Sequence, residues 1–215
     1  MEHSVYLFDF DGTLVDSMPT WARQMTNILD KREVKYPDNI IEIITPLGTM
    51  GCLEYFRNEL GMVFEDKDVL SEMMAFALPA YRDVIPFKEG VFDYLKRMKE
   101  AGHRLCVLTA SPHITLDPCL ERLGVFDMFE NVWSCDDFNT TKADPEIYHM
   151  VAEKLGVEIS DIVFFDDNIN AIQTAKTAGT YTVGIFDETG KGFIKEMKET
   201  ADLYFETLKN AEEVL

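Results

Sequence analysis

Asp9 and Asp11 stand one residue apart in the stretch YLFDFDGTLVDS (residues 6–17), and Gly12 and Thr13 follow at once. An apolar run that ends in two carboxylates is poor architecture. Strand alternation would put both on one face, where like charges repel. Such a pair calls for a cation or a reacting group between its members. Further along come Thr109 with Ala110 and Ser111, Lys142 within DDFNTTKADP, and the acidic pair Asp166–Asp167. Together these residue types suit phosphoryl transfer. Clustered carboxylates are stabilised by a hard divalent cation, and Mg²⁺ prefers oxygen ligands while retaining waters that a phosphate can replace. One carboxylate can attack phosphorus, splitting a hard hydrolysis into two steps. A second can protonate the leaving oxygen and then activate water. A lysine neutralises charge, and hydroxyl and backbone N–H groups hold the equatorial oxygens. Glycine at position 12 lets the backbone turn sharply beside the phosphate.

The elements that would bring these groups together are legible in the hydrophobic pattern. SVYLF (4–8) has the look of a buried parallel strand, and RLCVLT (104–109), NVWSC (131–135), DIVFFD (161–166) and TYTVGIF (180–186) repeat it. Helical stretches lie between them. EGVFDYLKRMKEAG (89–102) stops at a glycine, DPEIYHMVAEKLG (144–156) starts on Asp144 and Pro145 and closes at Gly156, and NAIQTAKTAG (170–179) closes at Gly179. The expected fold class is therefore α/β, a doubly wound, mainly parallel Rossmann-like sheet core with an inserted helical cap domain. The insert is expected at 17–85, since MPTWARQMTNILDKR, CLEYFRNEL and DKDVLSEMMAFALPAYRDV read as helices with no strand between them. That leaves residues 1–16 and 86–215 as the catalytic core. Met50, Met62, Met73 and Met74 in the insert read as core filler. In an open parallel sheet, ligands bind at the carboxyl ends of the strands. Asp9, Thr109 and Asp166–Asp167 each end a strand there, and Lys142 lies just before a helix.

Taken singly, each piece has an ordinary reading. DFDGT could be an acidic turn, Thr109 a strand end, Lys142 a solvated charge and Asp166–Asp167 a helix cap. In this order, each at its own strand end, they act as a set. DFDGTLVDS, LTAS, KADPEIY and FFDD resemble the four motifs of the haloacid dehalogenase-like superfamily in its phosphatase branch, and the likeness covers essentially the whole chain. The resemblance implies Asp9 as nucleophile and Asp11 as general acid/base. It implies Thr109 as phosphate-binding hydroxyl, with Gly12 and Ala110 beside the phosphate, and Lys142 as the charge-neutralising lysine. Metal binding falls to Asp9, Asp167, the carbonyl of Asp11, and Asp166 either directly or as an outer partner. The insert matches the family's helical cap. Asp11 also argues against the dehalogenation that names the family, because dehalogenating members lack that aspartate. The similar β-phosphoglucomutases place a cap histidine where this chain has Trp21, and a phosphate-gripping arginine near a loop that here reads LGTMG (47–51). Many relatives also carry an acidic residue where Ala171 stands. Trp21 is accordingly expected to meet the substrate's carbon skeleton.

The bulk composition narrows the partners. The chain has 215 residues and a formal net charge of −19, with no basic stripe for nucleic acid and no attraction to an anionic membrane. It shows neither a signal peptide nor an apolar run long enough to span a bilayer. Four cysteines, none in a C-x-x-C pair, fit a reducing, cytoplasmic setting. His3, His103, His113 and His149 have no ligand spacing, and GKGF (190–193) reads as a flexible turn. The expectation is a monomeric or weakly self-associating Mg²⁺-dependent phosphatase that takes a small phosphorylated metabolite through an aspartyl-phosphate. The rivals are a phosphoglucomutase-like transferase and a non-catalytic module on the same fold.

Overall fold

The computed structural model describes residues 3–209 and 211. Among these, six strands form one all-parallel sheet: β1 (Val5–Phe8), β2 (Arg104–Thr109), β3 (Asn131–Ser134), β4 (Ile162–Asp166), β5 (Tyr181–Ile185) and β6 (Leu203–Phe205). Their order is β3-β2-β1-β4-β5-β6, which puts β1 between the two other strands that end in chemistry. Strand alternation sorts the side chains cleanly onto two faces. Tyr6, Phe8, Leu105, Val107, Val163 and Phe165 belong to one apolar core. Val5, Leu7, Cys106, Leu108, Ile162 and Phe164 belong to the other. Both faces are covered, so the strands are apolar throughout rather than alternating with polar residues.

Helices α5 (Val91–Glu100) and α6 (His113–Arg122) cover the first face, while α7 (Glu146–Leu155) and α8 (Ile169–Ala178) cover the second. Gly156 and Gly179 end α7 and α8 in the left-handed conformation, as their sequence positions predict. The Asp144 carboxylate accepts the Glu146 N–H at 3.0 Å at the start of α7. The short β6 and the helices α6 and α9 (Ile194–Thr200) do not figure in the sequence-based expectation. GKGF is a 3-10 turn (Glu188–Phe193) capped by the Asp187 side chain, which accepts the Thr189 N–H.

Between β1 and β2 the chain runs through α1 (Met18–Asp30), α2 (Ile40–Ile44), α3 (Gly48–Asn58) and α4 (Asp66–Asp83). These helices make a third apolar cluster around Met25, Ile28, Leu53, Phe56 and Val69. Their base is a narrow backbone junction. Val15, on the segment that follows β1, bridges Phe87 on the returning chain, and Asp16 N–H bonds Pro86 O at 2.9 Å. α4 belongs to both regions: Val69 and Met73 lie in the helical cluster, whereas Ala77 and Tyr81 lie in the sheet's core.

Candidate active site

The register of the central strands sets the site. Phe8 pairs with Val107 and with Phe165, so the chain leaves β1 level with the end of β4. Asp9 N–H still donates to Phe165 O at 2.8 Å, which holds Asp9 beside Asp166. Lys142 reaches in from the loop before α7. Its Nζ donates to Asp9 Oδ1 at 2.5 Å and to Asp166 Oδ2 at 2.7 Å, bridging two carboxylates 157 residues apart in the chain that β1–β4 pairing makes neighbours. Asp166 is completed by the Asn168 N–H on Oδ1 at 2.7 Å. Asp167 accepts the Thr13 hydroxyl on Oδ1 at 3.2 Å.

Asp9, Asp166 and Asp167 are all buried, and each offers a carboxylate oxygen within 4.8 Å of the others. Burial pushes the Asp9 carboxyl up to about 7; Lys142 pulls it back, and Asp166 and Asp11 add to the rise. Burial likewise pushes Asp167 well above the usual carboxylate range, with Asp166, Asp9 and Asp187 adding and Lys88 opposing. For Lys142, burial favours the neutral amine, but the carboxylates of Asp166 and Asp9 outweigh it and raise the ammonium's affinity for its proton. The Lys142 ammonium thus bonds two of the three crowded carboxyls, and Lys88 acts on the third from farther off. The excess negative charge, on oxygen donors only, fits a hard divalent cation such as Mg²⁺. Because both Asp166 oxygens already accept hydrogen bonds, Asp9 Oδ2 and Asp167 Oδ2 are the better presented donors.

The Asp11 side chain does not join this cluster. β1 ends at Phe8, and Gly12 turns the backbone with φ +78°, so strand alternation does not extend through Asp11. Its carboxylate is held instead by three hydroxyls. Ser17 donates to Oδ1 at 2.6 Å, Tyr81 donates to the same oxygen, and Ser111 donates to Oδ2. Lys142 thus gives Asp9 a cationic partner, whereas the hydrogen-bond partners of Asp11 are neutral hydroxyls.

Gly12 serves a second purpose. A Cβ at this position would lie 2.5 Å from Asp167 Oδ2, so only glycine lets the loop pack on that carboxylate. Below it, Lys88 Nζ donates to Gly12 O at 2.5 Å, Phe186 O at 2.5 Å and Asp187 Oδ2 at 2.9 Å, tying the first loop to the end of β5. Thr109 is buried at the end of β2, where its hydroxyl accepts the Ser111 N–H at 3.0 Å, and Ala110 between them is exposed. Asp9, Lys142, Asp166 and Asp167 thus meet, with Asp11, Gly12, Thr109 and Ala110 on adjoining loops. Trp21 stands apart from this hydrogen-bonded set: it is half-buried against the helical cluster. The helical region meets the site through the Ser17 and Tyr81 side chains on Asp11 and, at its 45–46 turn, through main chain. Asn170 Nδ2 donates to Pro46 O at 2.8 Å, and Asn168 Nδ2 donates to Thr45 O at 3.4 Å.

Ser17, Tyr81, Ser111 and Lys88 have no role in the sequence-based expectation. Ser17 and Ser111 lie inside the quoted stretches DFDGTLVDS and LTAS, so a signal for them existed. Tyr81 and Lys88 are remote in sequence from their partners and carry no local mark.

Comparison with known proteins agrees with this geometry. Residues 3–179 match the family described as haloacid dehalogenase-like hydrolase. The pyrophosphatase PpaX of Bacillus velezensis is 28% identical over 183 residues, covering 83% of this chain and 81% of that protein. A phosphoglycolate phosphatase of Colwellia psychrerythraea is 27% identical over 191 residues, covering 86% and 84%. In fold, the chain is similar to CbbY from Rhodobacter sphaeroides, crystallised in complex with phosphate, with a TM-score of 0.80 at 20% identity over 97% of this chain and 96% of that one. With a parallel sheet that gathers an aspartate cluster at its carboxyl edge and a family match spanning most of its length, this chain belongs to the haloacid dehalogenase-like hydrolases.

Proposed function

We propose that the protein is a Mg²⁺-dependent phosphatase that hydrolyses a small organic phosphate monoester through an aspartyl-phosphate on Asp9. The observation that carries this reading is the Lys142 bridge between Asp9 and Asp166 beside Asp167. Asp9, Asp167 and the Asp11 carbonyl would hold the metal, with Asp166 behind them. The metal would supply positive charge to the phosphoryl oxygens and keep the carboxylates ionised. An attacking carboxylate must be anionic, and Lys142 favours the Asp9 anion by opposing part of the rise that burial causes. Asp9 attacks phosphorus as the ester P–O bond breaks, and Asp11 gives its proton to the departing oxygen. Asp11 then takes a proton from water as that water attacks the acyl phosphate, which frees Asp9 and inorganic phosphate. Thr109, together with the N–H of Ala110, would receive the equatorial oxygens. Residues 17–85 would act as the cap that admits substrates, with Trp21 toward the carbon skeleton. Relatives named as phosphoglycolate phosphatases support a small phosphorylated metabolite as substrate. None of the described helices is long and apolar enough to cross a membrane. The four cysteines are free and buried, which fits the cytoplasm.

The test is phosphate release from an aryl phosphate and a panel of phosphorylated metabolites, with Mg²⁺ and with a chelator. Mg²⁺-dependent release supports the reading, and no release from any ester overturns it. β-Glucose 1-phosphate with a trace of the bisphosphate belongs in the panel. Rapid glucose 6-phosphate formation without free phosphate would make the protein a mutase.

A further inference from the structure

Tyr81 is fixed at three points, two on its side chain and one on its main chain. Its ring stacks on Phe10, the aromatic residue between the two aspartates, with centroids 6.0 Å apart and planes 28° from parallel. Its carbonyl accepts from Arg122 Nη2 at 3.2 Å, and the same nitrogen bonds Ile85 O, which pins the end of α4 to α6. Its hydroxyl, buried within the sheet's own core, donates to Asp11 Oδ1. Each of these contacts reduces the freedom of a group that ends on the Asp11 carboxyl. Asp11 would be better held by a lysine or arginine if charge neutralisation were the only need.

Hydroxyls have a property that ammonium and guanidinium groups lack: they both donate and accept. A carboxylate that must hand over a proton and later recover one is a hydrogen-bond acceptor at one stage and a donor at the other. A ring of hydroxyls can rotate its hydrogens and keep the same heavy-atom positions through both stages. We propose that Tyr81, assisted by Ser17 and Ser111, is a positioning residue that keeps the Asp11 carboxyl in one place while it gives and takes the proton. The inference rests on Asp11 being the proton donor in the reading above. Tyr81 acts through Asp11 and touches no reacting atom.

The experiment compares Tyr81→Phe with the parent on two esters, p-nitrophenyl phosphate and an alkyl phosphate. An alkoxide departs only with a proton, whereas nitrophenolate departs without one. The specificity constant kcat/KM isolates the steps up to ester cleavage, so slow hydrolysis of the acyl phosphate does not enter. Tyr81→Phe should lose about ten- to a hundredfold in kcat/KM on the alkyl ester, the size of a lost hydrogen bond to a charged group, and should stay within a fewfold on the aryl ester. In an Asp11→Asn background the same change should cost nothing further on the alkyl ester, since its route is already gone. Ser17→Ala, which removes the other donor to Oδ1, should repeat the ester-selective loss to a smaller extent and covers the case in which Tyr81→Phe folds poorly. An active parent with equal losses on both esters, or with additive losses in the Asp11→Asn background, would overturn the role of Tyr81 and leave the phosphatase reading standing. A parent inactive on every ester would remove both.

Discussion

The sheet edge and the helical region differ in what carries their contacts. At the sheet edge, buried side chains meet side chains: Lys142 on Asp9 and Asp166, and Thr13 on Asp167. At the 45–46 turn of the helical region, Asn168 and Asn170 instead find the carbonyls of Thr45 and Pro46, while α4 sends the Tyr81 side chain in to Asp11. A main-chain carbonyl is present whatever residue stands there, so this contact leaves the side chains of the 45–47 turn free to vary. Under the proposed function, the reaction and the choice of substrate would fall to regions under different constraints. On that reading the sheet edge would need to keep its residue types, since each would have a chemical duty, whereas the helical region would need its apolar cluster and the Tyr81 hydroxyl.

If that division holds, changes at the nucleophile should remove turnover of every substrate alike. Asp9→Asn should show the largest effect, a loss above about a thousandfold, because no neighbouring group can replace a covalent step. The measurement is phosphate release with melting temperature alongside. Retained activity in a folded Asp9→Asn protein would break the comparison at its strongest point. Asp11→Asn should cost about a hundred- to ten-thousandfold on esters with poor leaving groups, the usual worth of a positioned acid–base group.

Next in size are changes that act on the metal site. Gly12→Ala places a Cβ 2.5 Å from Asp167 Oδ2 and forces a non-glycine residue to φ +78°. The strain alone is about 1–3 kcal/mol. The Asp167 carboxylate must also move, so calorimetry should find weaker Mg²⁺ binding as well as a lower melting temperature. The metal-free parent gives a pH signature of the same crowding. The Asp9 carboxyl, held near 7 against an ordinary value of 3.8, binds its proton more tightly folded than unfolded. Asp167 shifts in the same direction. Between these values the folded state therefore holds more protons, and chelated protein should lose stability as pH rises from about 4 through 7. Mg²⁺ competes with those protons, so the rise in melting temperature on adding Mg²⁺ should grow over the same window. A Mg²⁺ effect that shrinks with rising pH would show that the metal does not sit among these carboxylates.

How far the sequence foretold this follows from the same division. β1, β2 and β4 were readable because strands buried on both faces must be apolar, and the polar residue that ends each run then stands out. Lys142 was readable only in company with the aspartates, since a lone lysine before a helix is commonplace. Alternation carried both Asp9 and Asp11 onto one face because nothing local marks Phe8 as the last residue of the strand. β6, with three residues and an exposed Leu203, lacks a run long enough to register. Tyr81 was illegible for a deeper reason. It lies 70 residues from Asp11 on a helix whose first half packs elsewhere, and its partner is set by tertiary packing alone.

The smallest effect, and the sharpest probe of the division, belongs to Trp21. It is half-buried against the helical cluster, so Trp21→Ala should cost less than the roughly 3–5 kcal/mol of a fully buried tryptophan. It bonds none of Asp9, Lys142, Asp166 or Asp167, and p-nitrophenyl phosphate offers the cap little to recognise. The variant's kcat on that ester, measured well below its melting temperature, should therefore stay within a fewfold of the parent. On the preferred metabolite, KM should rise by about ten- to a hundredfold if the indole covers the carbon skeleton, which corresponds to roughly 1.5–3 kcal/mol of lost apolar contact. The ratio between the two substrates is what matters, since a partly unfolded sample would lower both rates together. A variant that loses the aryl ester as severely as the metabolite would place Trp21 in support of the reaction itself, and the helical region would then hold more than substrate choice.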